Sequence, residues 1–254
     1  MPITAIALQG IGEILPGDDL AALIVDALRC TDQPLTLQSS DVLVIAHKVV
    51  SKSEGAVRSL SDVQVGSLAL VLAREQDKDP RHVQVVLDQA RAVLRAAHGV
   101  IICETHHGFV CANAGVDASN VPDGETLVLL PSDPDGSARA LRARLRELAG
   151  AAPAIVITDS FGRAWRAGQC DVAIGCAGLR PAEDWRGRRD ANGRLLHGTL
   201  IAVADELAAT ADLARRKDGG EPVVLVRGAA RHVTVADGPG AAALLRAEQH
   251  DLFR

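Results

Sequence analysis

Short aliphatic runs separated by polar turns limit the fold of this chain more than any other feature of its sequence. Each run holds five or six residues and is bounded by turn-forming residues, which predicts a buried strand. The runs occupy residues 3–8, 41–46, 99–103, 126–130, 153–158 and 222–226. Because the chain has no Tyr, three Phe and two Trp, the core built by these strands must be aliphatic.

Stretches with apolar residues at helical spacing lie between the predicted strands. The helices are predicted over residues 20–25, 67–74, 80–97, 132–148 and 202–216. Asp18 or Asp19 can cap the first helix, and Asp133 followed by Pro134 marks the start of the fourth. Mixed strand–helix units joined by irregular polar loops indicate an α/β or, as we expect, an α+β fold, built as one intertwined unit or two lobes.

The composition excludes several classes of protein. The chain of 254 residues can form one large domain or two small ones, and its formal net charge of −5 argues against nucleic acid or an anionic membrane as main partner. It lacks an apolar run of about 20 residues and a signal peptide, so we expect a cytoplasmic protein. Five scattered cysteines without a Cys-x-x-Cys pair predict reduced thiols, not disulfides or a zinc site.

The segment 104–120 contains two carboxylates, two imidazoles and two amides between small residues. Such a mixture does not suit a packed core, whereas oxygen ligands beside glycines suit a hard metal ion and phosphates. Asp117 and Asn120 are spaced so that both can point into one turn, although an ordinary Asx turn explains them equally well. The neighbouring pair His106 and His107 lacks the spacing of helical zinc sites, and Cys111 lacks the partners of a thiol nucleophile.

Asp159 and Ser160 follow a buried strand, at the position where α/β sheets bind ligands. A helix cap is the alternative, but the next residues start no evident helix. A carboxylate beside a hydroxyl suits Mg²⁺ or Mn²⁺, which commonly bridges nucleotide phosphates. Arg163 and Arg166, grouped around a Trp, favour anion binding over surface ion pairing.

Two loops carry lysines that suit either phosphate or solvent. Lys48 and Lys52 follow the second strand without a Walker A pattern, so each is a phosphate ligand or an ordinary solvated lysine. The loop 217–220, Lys-Asp-Gly-Gly, either ends a helix with glycines in left-handed positions or cradles phosphate with its backbone N–H groups.

Taken together, these motifs resemble the coenzyme F420-0:L-glutamate ligase family, the F420:gamma-glutamyl ligases that mature a deazaflavin cofactor. The matching segments are residues 10–19, 49–55, 78–81, 104–122, 159–168, 171–175, 201–207 and 222–228. They follow the family order over nearly the whole chain. The resemblance implies one ligase domain over residues 1–254, with two intertwined lobes, a homodimer, and no flavin-reductase-like C-terminal domain.

The resemblance also implies the reaction. GTP phosphorylates the lactyl carboxylate of coenzyme F420-0, the amine of L-glutamate displaces the phosphate, and a second, γ-linked glutamate follows. Two divalent ions, Mg²⁺ or Mn²⁺, are expected, with K⁺ as a further candidate. Two alternatives remain: a related amide ligase acting on another carboxylate, and a non-catalytic protein that binds deazaflavin or nucleotide. The presence of both Asp117 and Asp159 argues against the second.

The same resemblance assigns site residues by position, although it identifies no catalytic acid or base. Metal ligands are Asp117 and Asp159 for one ion, Ser160, where the family usually has Thr, for a second, and Asp218. The expected GTP contacts are Ile11, Gly12, Glu13, Ile14, His47, Lys48, Lys52, Asn120, Lys217, Gly219 and Gly220. Departures from the family pattern are His47 and Lys48 in place of small hydroxyl residues, Ala164 in place of Pro, and a loop 217–220 shifted by one position.

Overall fold

The computed structural model describes residues 2–31, 33–119 and 124–252, and its mixed helices and strands agree with the α+β class. The α-helices are α1 (Leu20–Arg29), α2 (His47–Ser53), α3 (Ser67–Gln76), α4 (Pro80–Gln89), α5 (Pro134–Ala149) and α6 (Val203–Ala214). The strands are β1 (Thr4–Ala7), β2 (Val42–Ala46), β3 (Val57–Ser59), β4 (Ala90–Ala97), β5 (Val100–Thr105), β6 (Val110–Ala112), β7 (Thr126–Val128), β8 (Ala154–Arg163), β9 (Arg166–Ala177), β10 (Glu183–Asp184), β11 (Leu200–Ile201) and β12 (Val223–Arg227).

A five-stranded sheet in the order β1, β12, β2, β8, β9 forms the centre of the molecule. Within it β2 and β8 run parallel, from Val42 opposite Ala154 to Ala46 opposite Thr158, whereas the other neighbours are antiparallel. The carboxyl ends of β2 and β8 therefore meet at one edge of the sheet. That edge is where ligand-binding loops gather in sheets with parallel strands.

Apolar side chains pack on both faces of this sheet. Leu43 and Ile155 pack with α1 and α5 on one face, whereas Val44 and Val156 pack with α6 on the other. Burial on both faces explains why these strands are unbroken aliphatic runs without an alternating polar pattern.

A third core lies under the three-stranded sheet β4–β5–β6. Ile101 and Cys103 of β5 pack there with Val83 of α4 and Leu127 of β7, and α3 adds small residues. The expected arrangement as two intertwined lobes in a homodimer stays a prediction.

The helix predicted over residues 80–97 is wrong in its second half. The helix ends at Gln89, and the next residues form β4, which pairs antiparallel with β5. His98 and Gly99 close this hairpin with positive φ at both positions, as a two-residue turn of matching twist requires. Apolar spacing alone does not separate the two states, and pairing with the apolar strand β5 overrides the helical pattern.

Strand β8 is longer than predicted and does not end before Asp159. It continues to Arg163 and turns through Ala164 and Trp165 into β9, so Asp159 and Ser160 lie within the strand, just beyond its parallel pairing with β2. Trp165 is 81% exposed at the hairpin tip. Anion binding by Arg163 and Arg166, at the same tip, stays a prediction.

Helix α5 begins and ends within two residues of its predicted bounds and holds the segment 234–237 in place. Asp133 caps it by accepting a hydrogen bond from the Gly136 N–H, and Gly150 ends it in the left-handed region. The buried guanidinium of Arg142 donates to the carbonyls of Pro153, Thr234 and others, so its polar hydrogens are paired within the protein.

No helix in the described part of the chain is long and apolar enough to cross a membrane. All five cysteines are free thiols, as predicted. Burial, with a smaller contribution from the charge of Asp159, raises the pKa of Cys111 to about 12, which agrees with its exclusion as a nucleophile.

Gly175→Ala is expected to destabilise the fold, because β9 approaches the first turn of α5 so closely that an added Cβ would overlap the carbonyl of Pro134. The free energy of unfolding should fall by about 1–3 kcal/mol, as for other overpacked cores. Chemical denaturation measures this change. Gly162→Ala in the same hairpin is the control, since nothing lies within 4 Å of its added Cβ. Equal stability of the two variants would contradict the predicted overlap.

Thiol labelling of the native protein should separate exposed from buried cysteines. Cys30 is exposed and should react with N-ethylmaleimide. Cys111 and Cys176 are buried, each with a pKa raised to about 12 chiefly by burial, so they should remain unmodified until the chain unfolds. Peptide mass spectrometry identifies the labelled sites, and native labelling of Cys111 as fast as that of Cys30 would contradict the structure.

Candidate functional site

A cavity of about 500 Å³ opens at the carboxyl ends of β2 and β8. Its walls come from the loop after β1, the start of α2, the middle of β8 and the loop between α6 and β12. Most of the residues predicted to bind nucleotide or metal line it: Ile11, Gly12, Glu13, Ile14, His47, Lys48, Lys52, Asp159, Ser160, Lys217, Asp218 and Gly220. The fold thus brings four distant sequence segments together around one space.

The three remaining predicted residues are Gly219, Asn120 and Asp117. Gly219 is not among the residues that line the cavity, and Asn120 lies outside the described residues. Asp117 lies beside the cavity, with its backbone fixed by hydrogen bonds in both directions with Val128. Lys48 links it to the cavity wall, since its Nζ lies 2.7 Å from Asp117 Oδ2.

Lysine is unusually concentrated at this site, because three of the four lysines in the chain line the cavity. Each of the three holds an oxygen. Lys48 Nζ contacts Asp117, Lys52 Nζ lies 2.5 Å from Glu13 Oε1, and Lys217 Nζ donates to Ser160 Oγ at 2.9 Å. Compact ammonium groups on flexible stems can exchange these oxygens for those of a polyanion.

Asp159 meets His47 because the strands that precede them are in register. Ala46 pairs with Thr158 at the end of the parallel ladder, so the next residue of each chain segment emerges at the same level. His47 Nε2 lies 3.3 Å from Asp159 Oδ1, within ion-pair distance but without hydrogen-bond alignment. The other ring nitrogen lies 3.3 Å from Ser51 Oγ, so the buried imidazole is held between a hydroxyl and a carboxylate.

Sequence reasoning missed a buried polar network behind Ser160. Asp171, only 1% exposed, accepts hydrogen bonds from Ser160 Oγ at 2.7 Å and Thr158 Oγ1 at 2.8 Å, and forms an ion pair with Arg215. The segment containing Asp171 matches the family pattern, but its role depends on the register of the β8–β9 hairpin, which places it opposite Ser160.

The carboxyl group of Asp117 is poised to hold a cation. Burial by itself would raise the pKa of Asp117, but the hydrogen bonds from Lys48 and from the Ser119 backbone N–H outweigh it. Its pKa therefore lies below the usual value, and Asp117 is ionised at neutral pH.

The first part of the segment 104–120 has a structural role. Glu104 is buried and forms an ion pair with Arg91. The ring nitrogen Nε2 of His107 lies 2.9 Å from the Pro131 carbonyl, and the ring stacks on Phe109, which packs edge-on against Phe161 of β8. This packing holds the turn between β5 and β6, which precedes Asp117 in the chain.

Candidate metal ligands fit by the chemistry of their oxygens. Among residues 2–31, 33–119 and 124–252, no three His, Cys, Asp or Glu side chains form a ready metal-binding cluster. Asp117 and Ser160 nevertheless each accept a hydrogen bond from a lysine ammonium, so each already presents a lone pair to a cation. Carboxylate and hydroxyl oxygens are donors that Mg²⁺ and Mn²⁺ accept.

The sequence of this chain is similar to those of known proteins. The family model described as F420-0:Gamma-glutamyl ligase matches residues 10–228. A protein of Methanopyrus kandleri named Coenzyme F420:L-glutamate ligase is 45% identical over 95% of this chain and 94% of its own length. A protein of the same name from Methanothermobacter thermautotrophicus is 43% identical over 100% of this chain and 100% of its own length. Another, from Archaeoglobus fulgidus, is 39% identical over 100% of this chain and 97% of its own length. The chain therefore belongs to the F420-0:gamma-glutamyl ligase family.

Proposed function

We propose that this chain is a GTP-dependent ligase that joins L-glutamate to coenzyme F420-0 through an acyl phosphate. The names of its relatives, coenzyme F420:L-glutamate ligases, support the deazaflavin substrate and the amino acid. The cavity at the ends of β2 and β8 supports the nucleotide, since the lysines in its walls can pair with the oxygens of a polyphosphate.

The observation that carries this proposal is the meeting of Lys48, Lys52 and Lys217 with Asp159 and Ser160 in one cavity. Phosphorylating a carboxylate requires two anions to approach each other, so the site must supply positive charge before attack. The three ammonium groups provide it at the cavity wall. Two of the oxygens that they hold, on Asp117 and Ser160, belong to groups expected to bind divalent ions.

Nucleotide binding is assigned to the loops that line the cavity. Gly12 presents no side chain, so a phosphate can approach the backbone of the loop after β1. Lys52, held by Glu13 at 2.5 Å, stands beside this loop, whereas Lys217 and Gly220 approach from the loop after α6. Phosphates in this space would meet lysines from two sides.

Two divalent ions are assigned to the oxygens of Asp117 and Asp159 and to that of Ser160, with Asp218 as a further ligand. Bound ions would neutralise the phosphates and the developing charge of the reaction. Adjacent residues of a strand point to opposite faces, so Asp159 faces His47 while Ser160 faces Lys217. This separation suits the assignment of Asp159 and Ser160 to different ions.

The proposed reaction balances as two displacements. A carboxylate oxygen of coenzyme F420-0 attacks the γ-phosphorus of GTP. The bond between that phosphorus and the bridging oxygen breaks, and GDP leaves. The amine of L-glutamate then attacks the acyl carbon, inorganic phosphate leaves, and the amine loses a proton as the amide forms. Lys48 and Lys217 neutralise oxygen charge in both steps. The homodimer and the K⁺ ion expected from the family stay predictions.

Purified protein supplied with Mn²⁺, GTP, L-glutamate and coenzyme F420-0 should yield glutamyl adducts, with one GDP and one phosphate released for each glutamate added. Repeated release of GDP should require both coenzyme F420-0 and glutamate, because the acyl phosphate forms on one and must be consumed by the other before the next turnover. Mass spectrometry of the deazaflavin and a phosphate assay measure the products. Failure to form the adduct would overturn the proposal, and efficient use of another carboxylate would redirect it.

Asp159→Asn should reduce turnover by about 100-fold or more, since it removes a charge that the proposed ion needs, while the amide keeps the shape of the side chain. Thermal unfolding should change little. Asp26→Asn is the control, because Asp26 is 68% exposed on α1 and pairs only with nearby Arg29 among the described ion pairs. Unchanged turnover in Asp159→Asn would exclude its metal role.

Lys52→Met should weaken GTP binding by about tenfold, the loss expected for one charge-assisted hydrogen bond to phosphate. Isothermal titration with GTP measures the dissociation constant. Lys78→Met offers a matched control, because Lys78 is the fourth lysine and does not line the cavity. The same affinity in Lys52→Met and Lys78→Met would remove Lys52 from the nucleotide site.

A further inference from the structure

Asp171 stands directly opposite Ser160 because of a bulge in the β8–β9 hairpin. Gly175 pairs with Ile157, whereas Ala173 pairs with the next residue, Thr158, so β9 carries one extra residue at this point. Without the bulge, Val172 would stand opposite Ser160. The irregularity therefore aims a buried carboxylate at the hydroxyl on the cavity wall.

Hydrogen-bond chemistry fixes the direction of the Ser160 hydroxyl. The Asp171 carboxylate can only accept hydrogen bonds, and a serine hydroxyl has one hydrogen to donate. The 2.7 Å contact between Ser160 Oγ and Asp171 Oδ1 therefore uses that hydrogen. Asp171 Oδ2 is occupied by Thr158 and Arg215, so the carboxylate is held from the other side.

We propose that Asp171 is a positioning residue that turns the Ser160 hydroxyl so that its lone pairs face the cavity and serve as ligands for a cation. The inference deepens the proposed function and rests on it, since the cation is the divalent ion assigned to Ser160. Although Asp171 also lines the cavity, it acts through Ser160, because both of its oxygens already accept from Ser160, Thr158 and Arg215.

The contact with Lys217 supports this direction. Lys217 Nζ donates to Ser160 Oγ at 2.9 Å, so the cavity side of the hydroxyl already accepts from a positive group. With its hydrogen committed to Asp171, Ser160 cannot donate to a phosphate oxygen. The hydroxyl is therefore suited to bind a metal ion and unsuited to act as a phosphate donor.

The ion pair with Arg215 allows this carboxylate to be buried. Arg215 is 10% exposed and contacts both Asp171 and Thr158 Oγ1, the latter at 3.1 Å, but no contact with Ser160 is found in the described structure. It neutralises the buried charge without competing for the hydroxyl. Among the described contacts, Asp171 Oδ1 thus accepts only from Ser160.

A double-mutant cycle in Mn²⁺ affinity tests the proposal. Mn²⁺ alone is titrated into the full-length protein and the free ion is followed by electron paramagnetic resonance, a readout that does not depend on turnover. Ser160→Ala removes the ligand, and Asp171→Asn replaces an acceptor with an amide that can donate to Ser160. Each should weaken one Mn²⁺ site by about tenfold, as for other groups that orient metal ligands. The double variant should be no weaker than Ser160→Ala, because both changes act on one hydroxyl.

Asp212→Asn is the control for loss of charge. Its carboxylate lies 3.9 Å from both Arg215 and Lys217, and it has no contact with Ser160 in the described structure. Its Mn²⁺ affinity should match that of the wild type. If Asp171→Asn does not fold, Asp171→Glu serves instead, since it keeps the charge for Arg215 but displaces the oxygen that holds Ser160. Asp171→Glu should likewise weaken Mn²⁺ binding, and adding it to Ser160→Ala should cause no further loss of affinity.

The outcomes separate this inference from the proposed function. Additive effects of Asp171→Asn and Ser160→Ala would overturn the inference. Wild-type Mn²⁺ affinity in either single variant would also overturn it. In both cases the proposed metal binding at Asp117 and Asp159 would stand. Absence of Mn²⁺ binding to the wild type would overturn both. Weakening by Asp212→Asn equal to that by Asp171→Asn would show a general charge effect and also overturn the inference.

Discussion

The parallel pairing of β2 with β8 is the constraint on which the rest of this structure depends. Both strands are buried on both faces, so a shift of their register would disrupt the packing of two cores. That register ends with Ala46 opposite Thr158 and delivers His47 and Asp159 at the same level. The cavity, the lysines of α2 and the proposed ligands of β8 all take their positions from this one ladder.

The charged side chains at the site form two kinds of ion pair, which differ in how far their carboxylates are buried. Asp171 and Arg215 form a buried pair, whose charges cancel and whose hydrogen bonds are completed by hydroxyls. Lys48 and Lys52 pair with Asp117 and Glu13, whose side chains are 35% and 54% exposed. Partners close to water can be exchanged at lower cost than buried ones, so the buried pair suits a fixed support and the lysines suit contact with a ligand.

Local sequence signals predicted most elements, whereas the family resemblance supplied most of the residues around the cavity. Capping residues such as Asp133 act within one turn, so the start of α5 is readable from the sequence. By contrast, β4 depends on pairing with β5, and the role of Asp171 depends on a bulge in β9 and on pairing with Ser160, eleven residues away along the chain. Arg215 meets Asp171 only after α6 packs on the sheet. Such contacts are long-range, and spacing along the chain does not encode them.

The alternation of side chains along β8 connects the fold to the proposed chemistry. Asp159 and Ser160 are adjacent in sequence yet lie on opposite faces, where different elements support them: His47 of α2 behind one and Asp171 of β9 behind the other. A strand that ended before Asp159 would leave both side chains on a loop, free to rotate. Because β8 continues past its parallel partner and is paired with β9, the backbone fixes both directions. Two candidate ligands can then approach one cavity from two sides with little conformational entropy left to lose on binding.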